Sequence, residues 1–266
     1  MIDLHNHTPL CHHASGEPGE YVERARELGL REFGFSEHSP WMFQYEGEQI
    51  APSEEEFAEY LETMQSLREE VTEKGDMAFR IGIEMDFIPG CEQQARAMAE
   101  SFEFDYHIGS VHNLGDWIFD HPDHLTQWDE RDVGKVYEEY FKTLRQMFEW
   151  DLIDIVGHLD LPKKFGHVPR AGYEMYVASL LPLLIESDAV VEINTAGRDK
   201  PISEFYPSPT VVAHLARAGV PFTLGSDAHK PSEVGRYFDD ALALLRECGV
   251  KEIITFDKRR KVGLPI

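Results

Sequence analysis

The chain has 266 residues, of which 49 are acidic and 25 are basic, and its formal net charge is −24 at pH 7. Hydrophobic residues make up 42% of the chain, which is enough to bury a large core, so the charge excess does not indicate intrinsic disorder. Because so acidic a surface repels phosphate backbones, the composition argues against a general nucleic-acid-binding protein.

The sequence also argues against a membrane or secreted protein. No stretch approaches the roughly 18 uninterrupted apolar residues of a membrane helix. The first residues have neither the basic start nor the apolar stretch of a secretory signal. The three cysteines, Cys11, Cys91 and Cys248, are too few and too scattered for a disulfide framework. We therefore expect a cytoplasmic protein with no membrane partner.

Short apolar runs alternate with stretches of helical periodicity along the whole chain. The predicted strands are residues 1–4, 31–36, 78–83, 105–111, 152–157, 189–194 and 220–225. The predicted helices are residues 20–28, 53–73, 131–150, 173–187, 208–218 and 232–248. This alternation implies a parallel sheet, and so many units favour closure into a (β/α) barrel rather than an open sheet. We predict a single α/β barrel domain over residues 1–266, with residues 112–128 as a functional loop.

Side chains of the types that bind metal ions follow each predicted strand. In chain order they are His5, His7, His12 and His13; Glu37 and His38; Glu84 and Asp86; His112; His158 and Asp160; Glu192 and Asn194; and Asp227 and His229. The carboxyl ends of parallel strands open on one face of a barrel, so we expect these residues to converge there. His5 and His7, two positions apart on an extended strand, point to the same side and can grip one ion. A mixed pocket of imidazoles and carboxylates suits Zn, Mn or Fe.

Taken together, these motifs resemble those of the polymerase and histidinol phosphatase (PHP) family across nearly the whole chain, and in particular its histidinol-phosphatase branch. The matching segments are His5-Asn6-His7 with His13, Ser36-Glu37-His38, Gly82-Ile83-Glu84, Ile108-Gly109-Ser110-Val111-His112, Gly157-His158-Leu159-Asp160, Glu192-Ile193-Asn194-Thr195 and Gly225-Ser226-Asp227-Ala228-His229. The resemblance implies a distorted (β/α)7 TIM-like barrel that holds three divalent transition-metal ions.

The resemblance also implies how the ligands are divided among the ions. The first ion would take His5, His7, Glu84 and Asp227; the second would share Glu84 and add His112 and His158; the third would take His13, His38 and His229. The family usually has a small residue at position 12, where this chain has His12, and an offset of eight from His5 favours His13 over His12 as the ligand.

The implied activity is that of a metal-dependent phosphomonoesterase that hydrolyses L-histidinol phosphate to L-histidinol and phosphate in histidine biosynthesis. A hydroxide bridging two ions would attack phosphorus, since metal coordination lowers the pKa of water to about 7. The expected catalytic residues are Glu84, Asp227 and His229, and either of the last two, or a water on the third ion, could protonate the leaving group. For the small-molecule substrate, Arg198 is the expected phosphate clamp, and the further expected contacts are Lys164, His38 and Trp117.

Three alternatives remain at this point. A phosphoesterase or nuclease of the same family could act on another phosphorylated metabolite or on a short nucleic acid, although the acidic surface argues against the nucleic acid. An amidohydrolase also begins with His-x-His on a metal barrel, but the extra ligands His13, His38 and His229 point away from it. A metal-binding module without catalytic activity is the least favoured alternative, because the sequence contains every ligand of the expected set. His107 and His214 are interpreted as structural residues, and Cys11 as a packed thiol.

Overall fold

Seven parallel strands form a nearly closed barrel in the computed structural model, which describes residues 1–41 and 49–266. The strands of the described chain are β1 (Ile2–Asp3), β2 (Glu32–His38), β3 (Ala78–Asp86), β4 (Tyr106–Ser110), β5 (Asn113–Leu114), β6 (Trp117–Ile118), β7 (Ile155–Val156), β8 (Val190–Asn194), β9 (Phe222–Gly225), β10 (Glu252–Asp257) and β11 (Arg260–Pro265). The barrel order is β1-β2-β3-β4-β7-β8-β9. The N–H of Leu4 donates to the carbonyl of Leu224 at 3.1 Å and joins the first strand to the last. The predicted barrel is confirmed.

Helices connect the barrel strands. They are α1 (Pro18–Glu27), α2 (Glu54–Lys74), α3 (Glu92–Ser101), α4 (Leu125–Trp128), α5 (Val133–Met147), α6 (Glu174–Glu186), α7 (Pro209–Arg217) and α8 (Phe238–Glu247). Helix α2 begins at Ser53 with a capping box, in which the Ser53 hydroxyl accepts from the N–H of Glu56 and the Glu56 carboxylate accepts from the N–H of Ser53. In the described chain, no helix is both long and apolar enough to cross a membrane.

The structure differs from the predicted helices in three places, one of which is the short helix α4 inside the predicted loop of residues 112–128. Helix α3 was not predicted; Ala95 is its only buried residue, so few of its side chains mark a face toward the core. The last helix starts at Phe238 rather than at residue 232. Gly235 and Tyr237 have positive φ angles of 67° and 58°, and this left-handed backbone interrupts the helix before it can begin.

The interior of the barrel is filled through close packing around Tyr106. The hydroxyl of Tyr106 donates to the carbonyl of Leu4 at 2.6 Å, across the barrel from β4. A Cβ at Gly34 or Gly82 would overlap the Tyr106 side chain, so both positions require glycine. Strands β10 and β11 form an antiparallel hairpin in which the Thr255 hydroxyl donates to Glu32, the first residue of β2, at 2.7 Å. The hairpin therefore covers the amino ends of the strands and leaves the carboxyl ends open.

His107 on β4 is a core residue, as the sequence predicted. It is fully buried, and its Nδ1 lies 2.9 Å from the carbonyl oxygen of Leu152. Burial, together with the positive charge of Arg259, lowers the pKa of His107 to about 3. The imidazole is therefore neutral in the folded protein at neutral pH, whereas in the unfolded chain it titrates near its ordinary value of about 6.5.

We expect acid to destabilise the fold through this residue. In the unfolded chain His107 becomes protonated below about pH 6.5, whereas in the folded protein it stays neutral down to about pH 3. The free energy of unfolding therefore falls as the pH falls through this window. Between pH 7 and pH 5, the titration of His107 lowers the free energy of unfolding by about 2 kcal/mol. In His107→Asn the amide can still donate to Leu152 but does not titrate. Urea unfolding of the metal-free proteins should show a loss between pH 7 and pH 5 that is about 2 kcal/mol smaller in the variant; equal losses would contradict this account.

Candidate metal centre

Glu84, at the carboxyl end of β3, lies at the centre of a buried group of imidazoles. Its Oε2 lies 3.4 Å from His5 Nε2, 3.6 Å from His7 Nε2 and 2.8 Å from His38 Nδ1. All these side chains are buried, with exposures of 6% or less. The ends of β1, β2 and β3 thus deliver their ligand-type side chains to one carboxylate oxygen, as the barrel predicts.

The other oxygen of Glu84 faces a second pair of histidines. Its Oε1 lies 3.0 Å from His158 Nε2 and 3.6 Å from His112 Nε2, and it accepts a hydrogen bond from the Ser110 hydroxyl at 2.6 Å. The two Nε2 atoms of His112 and His158 lie 3.2 Å apart. A single carboxylate therefore has two imidazoles converging on one side and three on the other, which is the arrangement of a bridging ligand.

Asp227, in the loop after β9, completes the first group beside the end of β1. Its Oδ1 lies 3.3 Å from His7 Nε2 and 3.6 Å from His229 Nδ1. Its Oδ2 accepts from the Asn194 side-chain amide at 3.1 Å. The backbone of Asp227 has a φ of 51°, a left-handed conformation that aspartate tolerates better than most residues.

A further group of imidazoles lies toward the open side of the centre. The rings of His13 and His229 are 4.7 Å apart, those of His13 and His38 are 5.5 Å apart, and that of His7 lies 4.4 Å from His229. His13 Nδ1 lies 2.7 Å from the Cys11 carbonyl oxygen, which leaves its Nε2 free to bind.

His12, by contrast, turns away from this group. Its Nε2 lies 3.3 Å from the Glu56 carboxylate at the start of α2. It adopts a left-handed backbone with a φ of 66° after the short turn Pro9–Cys11, and this turn directs His12 and His13 to different sides. The geometry therefore places His13, rather than His12, among the candidate ligands.

Three carboxylates lie behind the histidines and orient them. His5 Nδ1 lies 2.6 Å from Glu192, His7 Nδ1 lies 3.3 Å from Glu37, and His112 Nδ1 lies 3.3 Å from Asp86. A carboxylate behind an imidazole fixes its tautomer and turns the opposite nitrogen toward the metal, an arrangement that is typical of metal sites. The sequence places these acids at strand ends, but their role as orienting groups emerges only from the structure.

Gly225 allows the closest of these contacts. A Cβ at this position would overlap the Glu192 carboxylate and would crowd the Cβ of His5. Glu192 also accepts hydrogen bonds from the backbone N–H of His158 at 3.0 Å and from the Asn194 side chain at 3.2 Å. The glycine of the Gly-Ser-Asp-Ala-His motif is therefore required for one carboxylate to hold two histidine segments together.

The electrostatics of the centre favour cations. Burial raises the pKa of Glu84, but the imidazoles of His5, His38 and His112 hold it well below its ordinary value. Burial lowers the pKa of His7, but the nearby carboxylates of Asp227 and Glu37 raise it to about 9. Without metal, the buried carboxylates thus draw protons onto some of the histidines, and metal ions would replace these protons.

The outer histidines behave in the opposite way. Desolvation by the surrounding protein and the nearby His38 and His7 lower the pKa of His13 to about 4, and burial with His7 holds the pKa of His229 well below its ordinary value. Both side chains are therefore neutral at physiological pH. Neutral imidazole is the form that binds metals.

The residues fit divalent transition-metal ions. His5 Nε2, His7 Nε2 and Glu84 Oε2 are buried and have no hydrogen-bond partner within the described part of the chain. Such atoms are costly unless something binds them, and here they point at one another. Four sets have ligand atoms within 4.8 Å of one another: His5, His7 and Glu84; Glu84, His112 and His158; His7, His38 and His229; and Cys11, His13 and His229. The donor set of nitrogen with carboxylate oxygen is the one that Zn, Mn or Fe accepts.

A cavity of about 470 Å³ opens above these ligands. Among its lining residues are the candidate ligands His13, His38, Glu84, His112, His158, Asp227 and His229, the apolar residues Ile118, Pro122, Leu161 and Tyr206, and the charged residues Asp120, Lys164, Lys200, Glu233 and Arg236. Lys164 Nζ lies 3.0 Å from Asp120 Oδ2. Of the residues predicted to bind substrate, the cavity therefore contains Lys164 and His38.

The structure does not bring Arg198 and Trp117 to this cavity. The Arg198 guanidinium lies 3.4 Å from Asp240 and packs over the rings of Phe205 and Tyr237. The loop that carries Arg198 lies at the mouth of the barrel, as predicted, but these contacts hold the Arg198 side chain outside the cavity.

Trp117, on β6, is buried in an aromatic cluster behind the loop. Its ring centroid lies 5.0 Å from that of Trp128, and the guanidinium of Arg131 covers it at 4.2 Å. Sequence analysis missed Lys200 and Arg236, which do line the cavity; their signal was only their position in loops after β8 and β9.

Comparisons with known proteins identify a family and a fold. Residues 3–196 match the model of the PHP domain. A Deinococcus radiodurans protein named "Probable histidinol-phosphatase" is 40% identical over 263 residues, covering 98% of each chain. A Bacillus subtilis protein named "Histidinol-phosphatase" is 24% identical and covers 92% of this chain and 98% of its own. The crystal structure of Lactococcus lactis histidinol phosphate phosphatase, complexed with zinc, L-histidinol and phosphate, covers 98% of both chains with a TM-score of 0.82 at 23% identity, which establishes the fold.

Proposed function

The chain belongs to the PHP domain family, and we propose that it is a phosphomonoesterase that hydrolyses L-histidinol phosphate to L-histidinol and phosphate in histidine biosynthesis. One observation carries the proposal: Glu84 lies within 3.6 Å of a nitrogen of each of five histidines, below a cavity with cationic side chains. This arrangement can hold a phosphate group and activate water beside it. The names of its full-length relatives support histidinol phosphate as the substrate.

We propose that three divalent ions bind here. The first would be held by His5, His7, Glu84 and Asp227, the second by Glu84, His112 and His158, and the third by His13, His38 and His229. When bound, such ions lower the pKa of water to about 7 and balance charge on phosphoryl oxygens. Because Asp227 and His229 lie beyond residue 196, the last residue matched by the family model, we propose that the functional unit is the whole barrel, residues 1–266.

The protein's own groups hold this site ready. Glu84 and Asp227 are ionised, since neighbouring imidazoles hold the pKa of each carboxyl well below its ordinary value despite burial. His229 is neutral at physiological pH, because burial and His7 lower its pKa. Neither Asp227 nor His229 is therefore an acid at neutral pH in the metal-free protein, which favours the ligand role over the general-acid role for both.

The cavity suits a small amphipathic phosphomonoester. Its volume of about 470 Å³ lies within the usual range for small-molecule sites. Ile118, Leu161 and Tyr206 offer apolar surface for a ring, and Asp120 offers a carboxylate for an amino group. A long phosphodiester would have to cross the surface of a chain with a net charge of −24, which disfavours it.

Phosphate release by the metal-replete protein tests the proposal. Histidinol phosphate should be hydrolysed with a kcat/KM at least about 100-fold above those of sugar phosphates, because the cavity offers specific polar and apolar contacts to the rest of the molecule. A dinucleotide should not be cleaved to a nucleoside and a nucleotide, which chromatography of the products would detect. Dialysis against a chelator should abolish the activity, and zinc or manganese should restore it. Equal rates on all monoesters would contradict the substrate assignment, and cleavage of the dinucleotide would favour a phosphodiesterase.

A further inference from the structure

Three cationic side chains line the wall of the cavity, and they differ in how their charge is balanced. Lys164 is paired with Asp120 at 3.0 Å. Arg236 is paired with Asp199 at 3.0 Å and with Glu233 at 3.2 Å. Within the chain as described, Lys200 has no ion pair and its ammonium group has no hydrogen bond, although it is partly removed from solvent. Burial, with the neighbouring charges of Lys164 and Arg236, lowers the pKa of its ammonium group, and the carboxylates of Asp227 and Glu233 partly oppose this shift.

The position of Lys200 is fixed by its loop. It follows the short turn Ala196–Asp199, where its N–H donates to the carbonyl of Gly197 at 3.1 Å. Its own carbonyl accepts from the N–H of Ser203 at 2.8 Å. At the base of the loop, Asn194 and Tyr206 exchange two backbone hydrogen bonds of 2.7 and 2.9 Å. The backbone that carries Lys200 is thus held at both ends, beside the end of β8.

The wall that carries Lys200 is continuous with the candidate metal centre. Arg236 donates to the backbone carbonyls of Ser226 and Asp227 at 3.0 and 3.1 Å. It therefore joins the cationic wall to the loop that carries Asp227 and His229. An anion bound at the centre would lie in the same cavity as the unpaired ammonium group.

We propose that Lys200 binds the phosphoryl group of the substrate, donating a charge-assisted hydrogen bond to a non-bridging oxygen. This inference rests on the proposed function and adds a residue that fixes the charged end of the substrate. A lysine that is partly desolvated and lacks a carboxylate partner gains the most from an incoming dianion, since no existing ion pair has to be broken. Lys164 and Arg236 already have such partners, so they are second to Lys200 for this role.

The test uses binding of inorganic phosphate to the metal-replete protein, measured by calorimetry. Lys200→Met should weaken phosphate binding by about 10- to 100-fold, because a hydrogen bond between charged groups is lost. The same variant should bind L-histidinol within about twofold of the original protein and should keep its metal content. Lys200→Arg should restore most of the phosphate affinity. Arg198→Met is the matched control from the same loop, and it should bind phosphate as the original protein does.

The outcomes separate this inference from the proposed function. Unchanged phosphate affinity in Lys200→Met would overturn the inference, and so would an equal loss of histidinol and phosphate binding. If the original protein fails to hydrolyse histidinol phosphate but still requires Lys200 for phosphate binding, the substrate assignment is wrong and the role of Lys200 stands. If the enzyme is active and Lys200→Met raises the KM and the inhibition constant of phosphate together, both are supported.

Discussion

Replacing Glu84 with glutamine should lower kcat/KM for histidinol phosphate by at least about a thousandfold, because metal ions supply several kcal/mol of transition-state stabilisation. Glutamine has the same shape, but its amide has only one oxygen. Ser110 donates to one Glu84 oxygen at 2.6 Å, so the amide oxygen stays on that side and an NH₂ group faces His5 and His7. An NH₂ group cannot bind a cation, and the bridge between the two sets of histidines is lost.

The metal content of Glu84→Gln must be measured together with its rate of hydrolysis. Glu84→Gln should retain less metal per chain after gel filtration, and the loss should exceed one ion, since both Glu84 oxygens face candidate sites. Glu56→Gln is the matched control: the same chemical change on a carboxylate that contacts His12 outside the centre. The Glu56→Gln protein should keep its metal content and its rate within about twofold of the original, because the contact between Glu56 and His12 is exposed to solvent. A Glu84→Gln protein with full metal and full activity would contradict the bridging role.

The fold and the candidate ligands could be predicted together because one physical rule governs both. A parallel barrel requires a helix after each strand, and it places the carboxyl end of every strand on one face. Residues such as His5, Glu84 and His158 are therefore brought together by the topology itself, whatever the conformations of the loops. The seven predicted barrel strands and the converging histidines follow from this rule.

Loop side chains could not be predicted in this way. Arg198 and Lys200 lie two positions apart in one loop, yet the Arg198 side chain packs outside on Asp240 and the Lys200 side chain lines the cavity. Their directions depend on tertiary contacts with residues distant in sequence, such as Phe205 and Tyr237. Sequence analysis favours arginine for phosphate recognition, but residue type and loop position do not reveal that the Arg198 side chain lies outside the cavity while that of Lys200 lines it.

The carboxyl-terminal hairpin was missed for a different reason. Its turn residues, Lys258 and Arg259, have positive φ angles of 49° and 63°, a conformation for which glycine or asparagine is the usual signal. A lysine and an arginine give no such signal. The conformation is held instead by tertiary bonds, in which the N–H groups of Lys258 and Arg259 donate to Asp105 at 3.1 and 2.8 Å.

Replacing His7 with asparagine should remove a metal ligand while leaving the protein folded. His7 makes two kinds of contact: Nδ1 lies 3.3 Å from Glu37, and Nε2 lies 3.3 Å from Asp227 and 3.6 Å from Glu84. The shorter asparagine amide can reach Glu37 in place of Nδ1 but cannot reach the metal side. We therefore expect the metal content to fall and kcat/KM to drop by at least about 100-fold, since metal ions contribute several kcal/mol to catalysis.

The response of protein stability to zinc distinguishes this ligand role from a structural one. In the presence of a chelator, thermal unfolding of His7→Asn should have a moderately lower midpoint than that of the original protein, because the metal-free original holds a protonated His7 beside buried carboxylates. Added zinc should strongly raise the midpoint of the original protein only. His214→Asn, the same change on α7 away from the centre, is the control and should respond to zinc as the original does. If His7→Asn kept its metal and rate, the first metal site would be wrongly assigned. If its metal-free form were as destabilised as its metal-loaded form, His7 would act through packing rather than through coordination.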